Sequence, residues 1–386
     1  MDYLLSIVIP TKNRYQTLFS VIDTLLGFSL EEMEIVVQDN SDENTSALAF
    51  FESRKNTNLK YFYQSEKLSI IENSDLAVKN SSGKYVCFIG DDDGVMPYIV
   101  NIVKWMEYNN YSVLKGNKPV YFWPGLEDGY LSTDSSGVLQ TKTYTKRKKL
   151  ISSKKAIKYT LSRGGTTMKE LPCLYHGIIK KEILDKIFNK CDTYFPGPSP
   201  DMANAVAISL MTNEYVYVDI PIVITGRNVN SGAGMGVRRI HALEVKDVPW
   251  LPKNTEKEWD NKIPKYWIGS TIWAESCIKS VSKCGYIDLN QFRYSYLYAY
   301  LHVYQYRYRK YLFKNFKISY FNVNFIVDVF LCCWRRIIHF FIIKRVNKVR
   351  NRITRTNNLE TIGSAIAFLS NNNELMEIIN EEYSLF

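Results

Sequence analysis

Short apolar runs alternate with stretches whose apolar residues recur every three or four positions throughout the N-terminal part of the chain. Leu5 to Pro10 is such a run, and its proline predicts a buried strand that stops there. Thr17 to Leu26 carries Leu18, Val21, Ile22 and Leu25 on one face, which predicts a helix. Glu34 to Val37 and Leu59 to Tyr63 read as two further strands, with a helix over Thr45 to Arg54 between them. A helix starts at Ser69, where Glu72 three residues on suggests a capping box. Ala77 and Val78 continue its apolar face, and Ser81-Ser82-Gly83 ends it before the strand Tyr85 to Ile89. Strands and helices alternating at this spacing predict an α/β fold with a doubly wound, mostly parallel sheet.

In such sheets ligands bind beyond the carboxyl ends of the strands. Three polar clusters fall at those ends: Thr11 to Arg14, Asp39 to Asp42, and Asp91 to Asp93. The sequence therefore predicts one site built from three separate loops. Asp91, Asp92 and Asp93 are adjacent, and like charges so close repel unless a cation sits among them. A hard divalent ion with oxygen ligands suits them, since Mg²⁺ commonly bridges one or two carboxylates and substrate phosphates. The first strand–helix loop lacks a Gly-x-Gly-x-x-Gly run, and no Walker lysine loop occurs, which disfavours dinucleotide oxidoreductases and P-loop enzymes.

The 386 residues allow one large or two ordinary domains, and 46% hydrophobic residues can bury a sizeable core. The net charge of +10 is unevenly spread. Gln291 to Arg355 holds fourteen Lys and Arg and a single acid, Asp328, so the rest of the chain is slightly acidic. That asymmetry suggests an anionic partner surface. The seven cysteines are odd in number and form no Cys-x-x-Cys pair, which suggests reduced thiols in a cytosolic protein rather than a disulfide framework or zinc site. The opening Met-Asp-Tyr-Leu-Leu-Ser has no basic n-region, so no signal peptide is expected.

Three motifs together carry a resemblance. Ser6-Ile-Val-Ile-Pro-Thr-Lys-Asn-Arg14 resembles the opening strand and loop of family 2 glycosyltransferases, which have the GT-A fold. Glu34-Ile-Val-Val-Gln-Asp-Asn-Ser-Asp-Glu-Asn-Thr45 resembles their second strand and its acidic end, and Gly83-Lys-Tyr-Val-Cys-Phe-Ile-Gly-Asp-Asp-Asp93 their metal-binding "DXD" strand. The likeness is good over Leu5 to Val120 and looser to about Gly236. It implies a nucleotide-sugar donor and Mg²⁺ or Mn²⁺ on its diphosphate. By position, it implies that Asp39 accepts a hydrogen bond from the base, with Pro10 and Thr11 lining the base pocket and Arg14 near the nucleotide. Asp92 would approach the ribose or the metal, Asp93 would bind the metal with the diphosphate, and Asp91 would belong to both sets. The family often has an acid where this chain has Gly90, which leaves the roles within the triplet open by one position.

Beyond the triplet, Val100 to Met106 reads as a helix, and Ser112 to Leu114, Val120 to Trp123, Cys173 to Ile179 and Tyr215 to Thr225 as strands. Lys146 to Ser162 and Lys181 to Asn189 read as helices. Asp201 follows a proline-rich approach and opens a helix of small residues, Met202 to Leu210. Inverting sugar transfer needs a base for the acceptor hydroxyl, and the family has an Asp or Glu at about this place, so Asp201 is the expected base. An Asp at a helix start is also a routine N-cap. The glycine-rich Gly226 to Gly236 carries Arg227, a group suited to a diphosphate. His176, on an apolar strand, is read as structural.

The expected organisation is a GT-A catalytic domain over 1–236, with a nucleotide-sugar-binding half (1–120) and an acceptor half (121–236), then a helical, basic and aromatic C-terminal region over 237–386. Phe325 to Ile343 is apolar but interrupted by Asp328, Arg335 and Arg336, which favours an interfacial amphipathic helix over a spanning one. With the surrounding Tyr, Arg and Lys, it suggests peripheral attachment to the anionic inner face of the cell membrane. Packing as core or as a homo-oligomer interface are the competing readings. No nucleic-acid-binding module appears.

The overall expectation is a metal-dependent inverting glycosyltransferase acting on a polyprenyl-diphosphate-linked glycan in bacterial surface polysaccharide synthesis, such as O-antigen or capsule. Two alternatives stand beside it. A sugar nucleotidyltransferase is disfavoured by the missing Gly-rich basic first loop. An inactive scaffold of a glycan assembly complex is disfavoured by the intact Asp39, Asp91 to Asp93 and Asp201.

Overall fold

A computed structural model describes residues 3–125, 136–229, 242–285, 289–314, 322–343 and 353–384. The N-terminal part alternates as expected: β1 (Leu5–Thr11), α1 (Tyr15–Leu26), β2 (Met33–Asp39), α2 (Thr45–Ser53), β3 (Leu59–Tyr63), α3 (Ile70–Lys79) and β4 (Tyr85–Phe88). The short β5 (Gly94–Val95) and α4 (Ile99–Tyr108) follow the acidic triplet. Then come β6 (Val113–Asn117), β7 (Val120–Phe122), β8 (Val138–Thr141), β9 (Lys148–Ser152), α5 (Ser153–Leu161), β10 (Gly177–Lys180), α6 (Lys181–Cys191), α7 (Pro200–Met211), β11 (Glu214–Pro221) and β12 (Val223–Arg227).

The main sheet has eight strands in the order β3-β2-β1-β4-β10-β6-β11-β9. The first four are mutually parallel, β6 and β11 run with them, and β10 and β9 run against them. This is the mostly parallel α/β architecture that the alternation predicts. Leu5, Ile7 and Ile9 of β1 face one layer, with α1 and α4, while Val8 faces the other, with α3, α6 and α7. Burial on both faces explains why these strands read as continuous apolar runs. The Ser69–Glu72 capping box at the start of α3 is formed.

Several element readings are corrected. Lys146 to Ser162 is not one helix: Lys148–Ser152 pairs antiparallel with β11 as an edge strand, and the helix starts only at Ser153. Its basic residues face solvent from a sheet edge, a common guard against unwanted pairing. Cys173 to Ile179 is not one strand either, because β10 starts at Gly177 and His176 has a positive φ of 67°. Tyr215 to Thr225 divides at Pro221, so that β11 stays in the main sheet while β12 joins β5 and β7 in a second one.

The C-terminal region has two destinations. Helix α8 (Gly269–Lys283) packs on α7, and α9 (Tyr294–Tyr304) packs against α10 (Val323–Ile338). The last residues return to the N-terminal body. There β13 (Thr354–Thr356) pairs with β8, and α11 (Ile362–Ser370) and α12 (Asn373–Tyr383) bury Ile362, Ala365, Leu369, Leu375 and Tyr383 in the core shared with β1 and α1. Ile362 and Ile366 come so close to Gly94 that a Cβ there would lie 2.7 Å from the former. Among the described residues no helix is long and apolar enough to cross a membrane.

Candidate active site

The carboxyl ends of β1 and β2 lie side by side, with Pro10 opposite Gln38 and Thr11 opposite Asp39. Asp39 is fully buried. One of its oxygens accepts from the hydroxyls of Tyr15 and Tyr61, both at 2.7 Å, and the other from the Ser41 N–H at 2.8 Å. Three donors fix this carboxylate in place, and two of them, the tyrosines, were not anticipated from the sequence. Burial and the neighbouring Asp39 charge push both phenols well above their usual range.

The triplet after β4 is also buried. Asp91 Oδ2 accepts from Thr11 Oγ1 at 2.6 Å and pairs with Arg14 Nε at 3.0 Å, so the first loop and the triplet meet directly. Its other oxygen, Oδ1, is buried without a hydrogen-bond partner. Asp92 Oδ2 accepts from Asn228 Nδ2 at 3.2 Å, and its backbone carbonyl accepts from Trp123 Nε1 at 2.8 Å. Asp93 is the most fully occupied. Its Oδ2 takes the Gly90 N–H and His176 Nε2, both at 2.6 Å, and its Oδ1 takes the Gly226 N–H at 2.7 Å.

These surroundings separate the three acids electrostatically. Burial raises the pKa of Asp91, with Arg14 and Thr11 opposing it. Asp92 is raised furthest, by burial and then by the charges of Asp93 and Asp91. Burial also works against ionised Asp93, but His176 and the two backbone N–H groups more than offset it and hold the carboxyl below its usual value. Burial lowers the His176 pKa in turn, so a neutral ring donating from Nε2 accounts for the pair.

A buried, repelling cluster with one orphaned oxygen fits a divalent ion. Among the described residues no three acids, histidines or cysteines are grouped so as to hold a metal ion by themselves. The fit is therefore to an ion shared with a ligand's phosphates, with Asp91 and Asp92 offering the oxygens that protein donors leave open.

Strand β12 closes this side. Gly226 is pressed against the triplet, and a Cβ there would lie 1.7 Å from the Asp92 carbonyl oxygen, so no other residue fits. Arg227, next along, stacks 5.4 Å over the Phe122 ring. The expected glycine-rich loop from residue 230 to 236 lies outside the described residues. Gly90 is equally confined: a Cβ there would lie 2.6 Å from Tyr175 Oη and 3.0 Å from oxygens of Asp92 and Asp93. The tyrosine hydroxyl fills the space that an acid at this position would need.

Asp201 stands in the first turn of α7, two residues after the N-cap Ser199. It is thus not the N-cap. Its Oδ1 accepts from Ser199 Oγ and from the Met202 N–H, the latter at 2.8 Å, and it is partly exposed. Ser199 is held from behind by Ser276 of α8, whose Oγ accepts its N–H at 2.8 Å. His176 touches Asp93, and the charge of Asp201 acts on it as well, more weakly. His176, expected as a structural residue on a strand, sits instead in the turn before β10 and is a direct partner of the triplet. The signal available was its place before Gly177, where the chain turns into β10. A non-glycine residue with positive φ stores on the order of 1–3 kcal/mol and recurs at functional sites.

Residues 6–168 match the family model described as Glycosyl transferase family 2. An uncharacterized glycosyltransferase of Rickettsia bellii is 32% identical over 112 residues, 28% of this chain and 16% of that protein. The GalNAc(5)-diNAcBac-PP-undecaprenol beta-1,3-glucosyltransferase of Campylobacter jejuni is 27% identical over 135 residues, 34% of this chain and 42% of that one. The UDP-Glc:alpha-D-GlcNAc-diphosphoundecaprenol beta-1,3-glucosyltransferase WfgD of Escherichia coli is 27% identical over 131 residues, 31% and 50% of the two chains. The chain thus spans half or less of the length of these relatives. A crystal structure of S. aureus TarS 1-349 in complex with UDP-GlcNAc superposes with a TM-score of 0.41 at 18% identity, covering 72% of each chain. The strand-end motifs that meet at one acidic cluster lie within the stretch, residues 6–168, over which the chain is similar to glycosyltransferase family 2.

Proposed function

We propose that the chain is an inverting glycosyltransferase that moves a sugar from a nucleotide diphosphate to a hydroxyl of a lipid-diphosphate-linked glycan, in bacterial surface polysaccharide synthesis. The observation that carries this reading is the contact of Thr11 and Arg14 with Asp91, beside Asp92, Asp93 and β12, with Asp201 on the adjoining helix. The two relatives named for undecaprenol-linked acceptors, one of them named for UDP-glucose, support a uridine donor and a polyprenyl-diphosphate acceptor.

In this reading Asp39 and Pro10 face the base, and Thr11 and Arg14 set the position of Asp91. Arg227 meets the diphosphate as a planar donor. Asp91 and Asp92, with Asp93 held behind them, would hold Mg²⁺ or Mn²⁺ with the diphosphate; when bound, the ion neutralises charge on the departing nucleoside diphosphate. Asp201 accepts the proton of the acceptor hydroxyl. The hydroxyl oxygen forms its bond to the anomeric carbon as the bond to the diphosphate oxygen breaks on the opposite face, which inverts that carbon. Ser199, bonded to Asp201 Oδ1, fixes the rotamer that leaves Oδ2 for the acceptor.

The test is a thermal-shift screen of UDP-, GDP-, CDP- and dTDP-sugars with and without Mn²⁺, followed by nucleotide release with a synthetic lipid-diphosphate glycan. A metal-dependent rise in melting temperature with UDP-sugars, together with UDP release, is expected, because a ligand of the folded state raises the midpoint by mass action. Pyrophosphate release would point to a nucleotidyltransferase. A folded protein that shifts with no nucleotide and releases none would fit a scaffold.

A further inference from the structure

Helix α10 presents an apolar stripe to solvent. Val323, Ile326, Val327, Phe330, Trp334 and Ile337 recur at helical spacing and are each 50–76% exposed. Phe340 and Phe341 are exposed just beyond the helix end. An apolar patch of this kind on a folded surface marks an interaction site. The opposite face of the same helix is packed: Phe325 and Cys332 lie among Tyr296, Tyr298, Ala299 and Val303 of α9. The stripe is therefore not core awaiting a neighbour within the described chain, because α9 already covers the other side.

The charges around the stripe have one sign. Asp328, the one acid between Gln291 and Arg355, is fully buried on the α9 side. It accepts from Arg293 Nε at 2.9 Å and Ser295 Oγ at 2.7 Å. The exposed charged residues of this region are cations, among them Arg307, Arg309, Lys310 and Arg336. Arg336 lies 5.8 Å over the Tyr304 ring and 6.0 Å over the Tyr306 ring, which ties the basic, aromatic turn 306–310 to the C-terminal end of α10.

We infer that this face of α10 lies flat in the surface of an anionic bilayer, with its apolar stripe among the acyl chains and its arginines and lysines at the headgroups. The helix continues into a π-helical turn, His339–Ile343, but Asp328, Arg335 and Arg336 interrupt the run, and it is not long and apolar enough to span, whereas it suits the interface. Charge decides against the main alternative, a second copy of the chain. A two-fold contact brings the same patch against itself, so it would oppose like charges with no exposed acid to pair with them. Anionic lipid supplies what both halves of the surface lack, apolar depth and negative charge. The inference stands apart from sugar transfer and would hold for an inactive protein as well.

The experiment is flotation of the full chain with vesicles of phosphatidylcholine containing phosphatidylglycerol, and with pure phosphatidylcholine. Flotation is expected with the anionic vesicles and much less with the neutral ones. In the double variant Phe330→Glu/Trp334→Glu the bound fraction should fall about tenfold or more, since two large side chains lose their burial in lipid. Both positions are exposed, so the melting temperature should stay where it is. A second readout uses the conservative Trp334→Phe: brominated lipids should quench tryptophan emission in the parent and markedly less in this variant. Unchanged flotation of the double variant, or unchanged quenching in Trp334→Phe, overturns the inference. So does a parent that fails to float and is a dimer which the double variant converts to monomer.

Discussion

Two buried glutamates, one in the N-terminal sheet and one in the C-terminal helices, are handled in opposite ways. Glu34, on β2, is fully buried yet has Lys60, Ser6 and Ser82 around it; burial alone would raise its pKa, and these partners more than offset that and lower it. Glu275, on α8 packed against α7, is just as buried but has, among the described residues, only the Asp260 N–H and a distant Lys279, and burial pushes it up to about 7. The same division holds at the site. Asp39 and Asp93 are saturated by protein donors, whereas the bonds of Asp201 run to one oxygen only, from a serine and a backbone N–H. In the proposed reading, a preformed donor pocket serves a ligand that is always the same, and a looser acceptor side leaves a base able to receive a proton.

The sharpest way to break this contrast is Asp201→Asn. Transfer should fall about a thousandfold, the scale of a lost general base, while the metal-dependent thermal shift with nucleotide-sugar stays. Loss of that shift would mean that Asp201 belongs to the donor side. Next in size is Asp92→Asn, where transfer and the thermal shift should fall together; a loss of about a hundredfold in turnover is the scale of one removed electrostatic contact at a reacting diphosphate.

His176→Phe removes a hydrogen bond to an ionised carboxylate, which costs about 1.5–3 kcal/mol. It should appear as a lower melting temperature that His176→Gln partly restores, with the nucleotide-sugar shift weakened in the first variant and not the second. A purely structural histidine would leave that shift alone.

The smallest effect is the pH dependence of stability. Glu275 is raised when folded, so its contribution is present below its ordinary value near 4.5 and is lost as pH rises through about 7. Glu34 is lowered, so its contribution is present above that value and is lost as pH falls below it. Between about pH 5 and pH 7.5, Glu275→Gln should flatten the decline in melting temperature, a difference on the order of 1–2 kcal/mol. Substituting Glu34→Gln should lower stability across that range instead.

How much of this was legible in the sequence follows the same division. The parallel half was readable because β1, β2 and β4 are buried on both faces and end in polar turns, so apolar runs and punctuation mark strand and loop together. The acidic triplet and its partner loop could be placed from order alone. The acceptor half could not. Lys148–Ser152 became a strand through pairing with β11, a contact between segments distant in the sequence that no local pattern encodes. His176 gained its role from a turn whose φ is invisible in composition. Tyr15 and Tyr61 looked like ordinary aromatic positions, and only register brings their hydroxyls to Asp39. The destination of the last two helices was not legible, since an apolar stripe does not say what covers it.

That destination has a mechanical consequence. The pair α9 and α10 is preceded in sequence by α8, which is seated on α7, and followed by β13, which is laced into the second sheet. It is consequently an insertion with both ends anchored, not a leash trailing from one. A segment pinned at one point can swing about any axis. Pinned at two, it turns mainly about the line that joins its anchors. If α10 rests on a surface, the body that carries both anchors is held at a restricted angle to that surface.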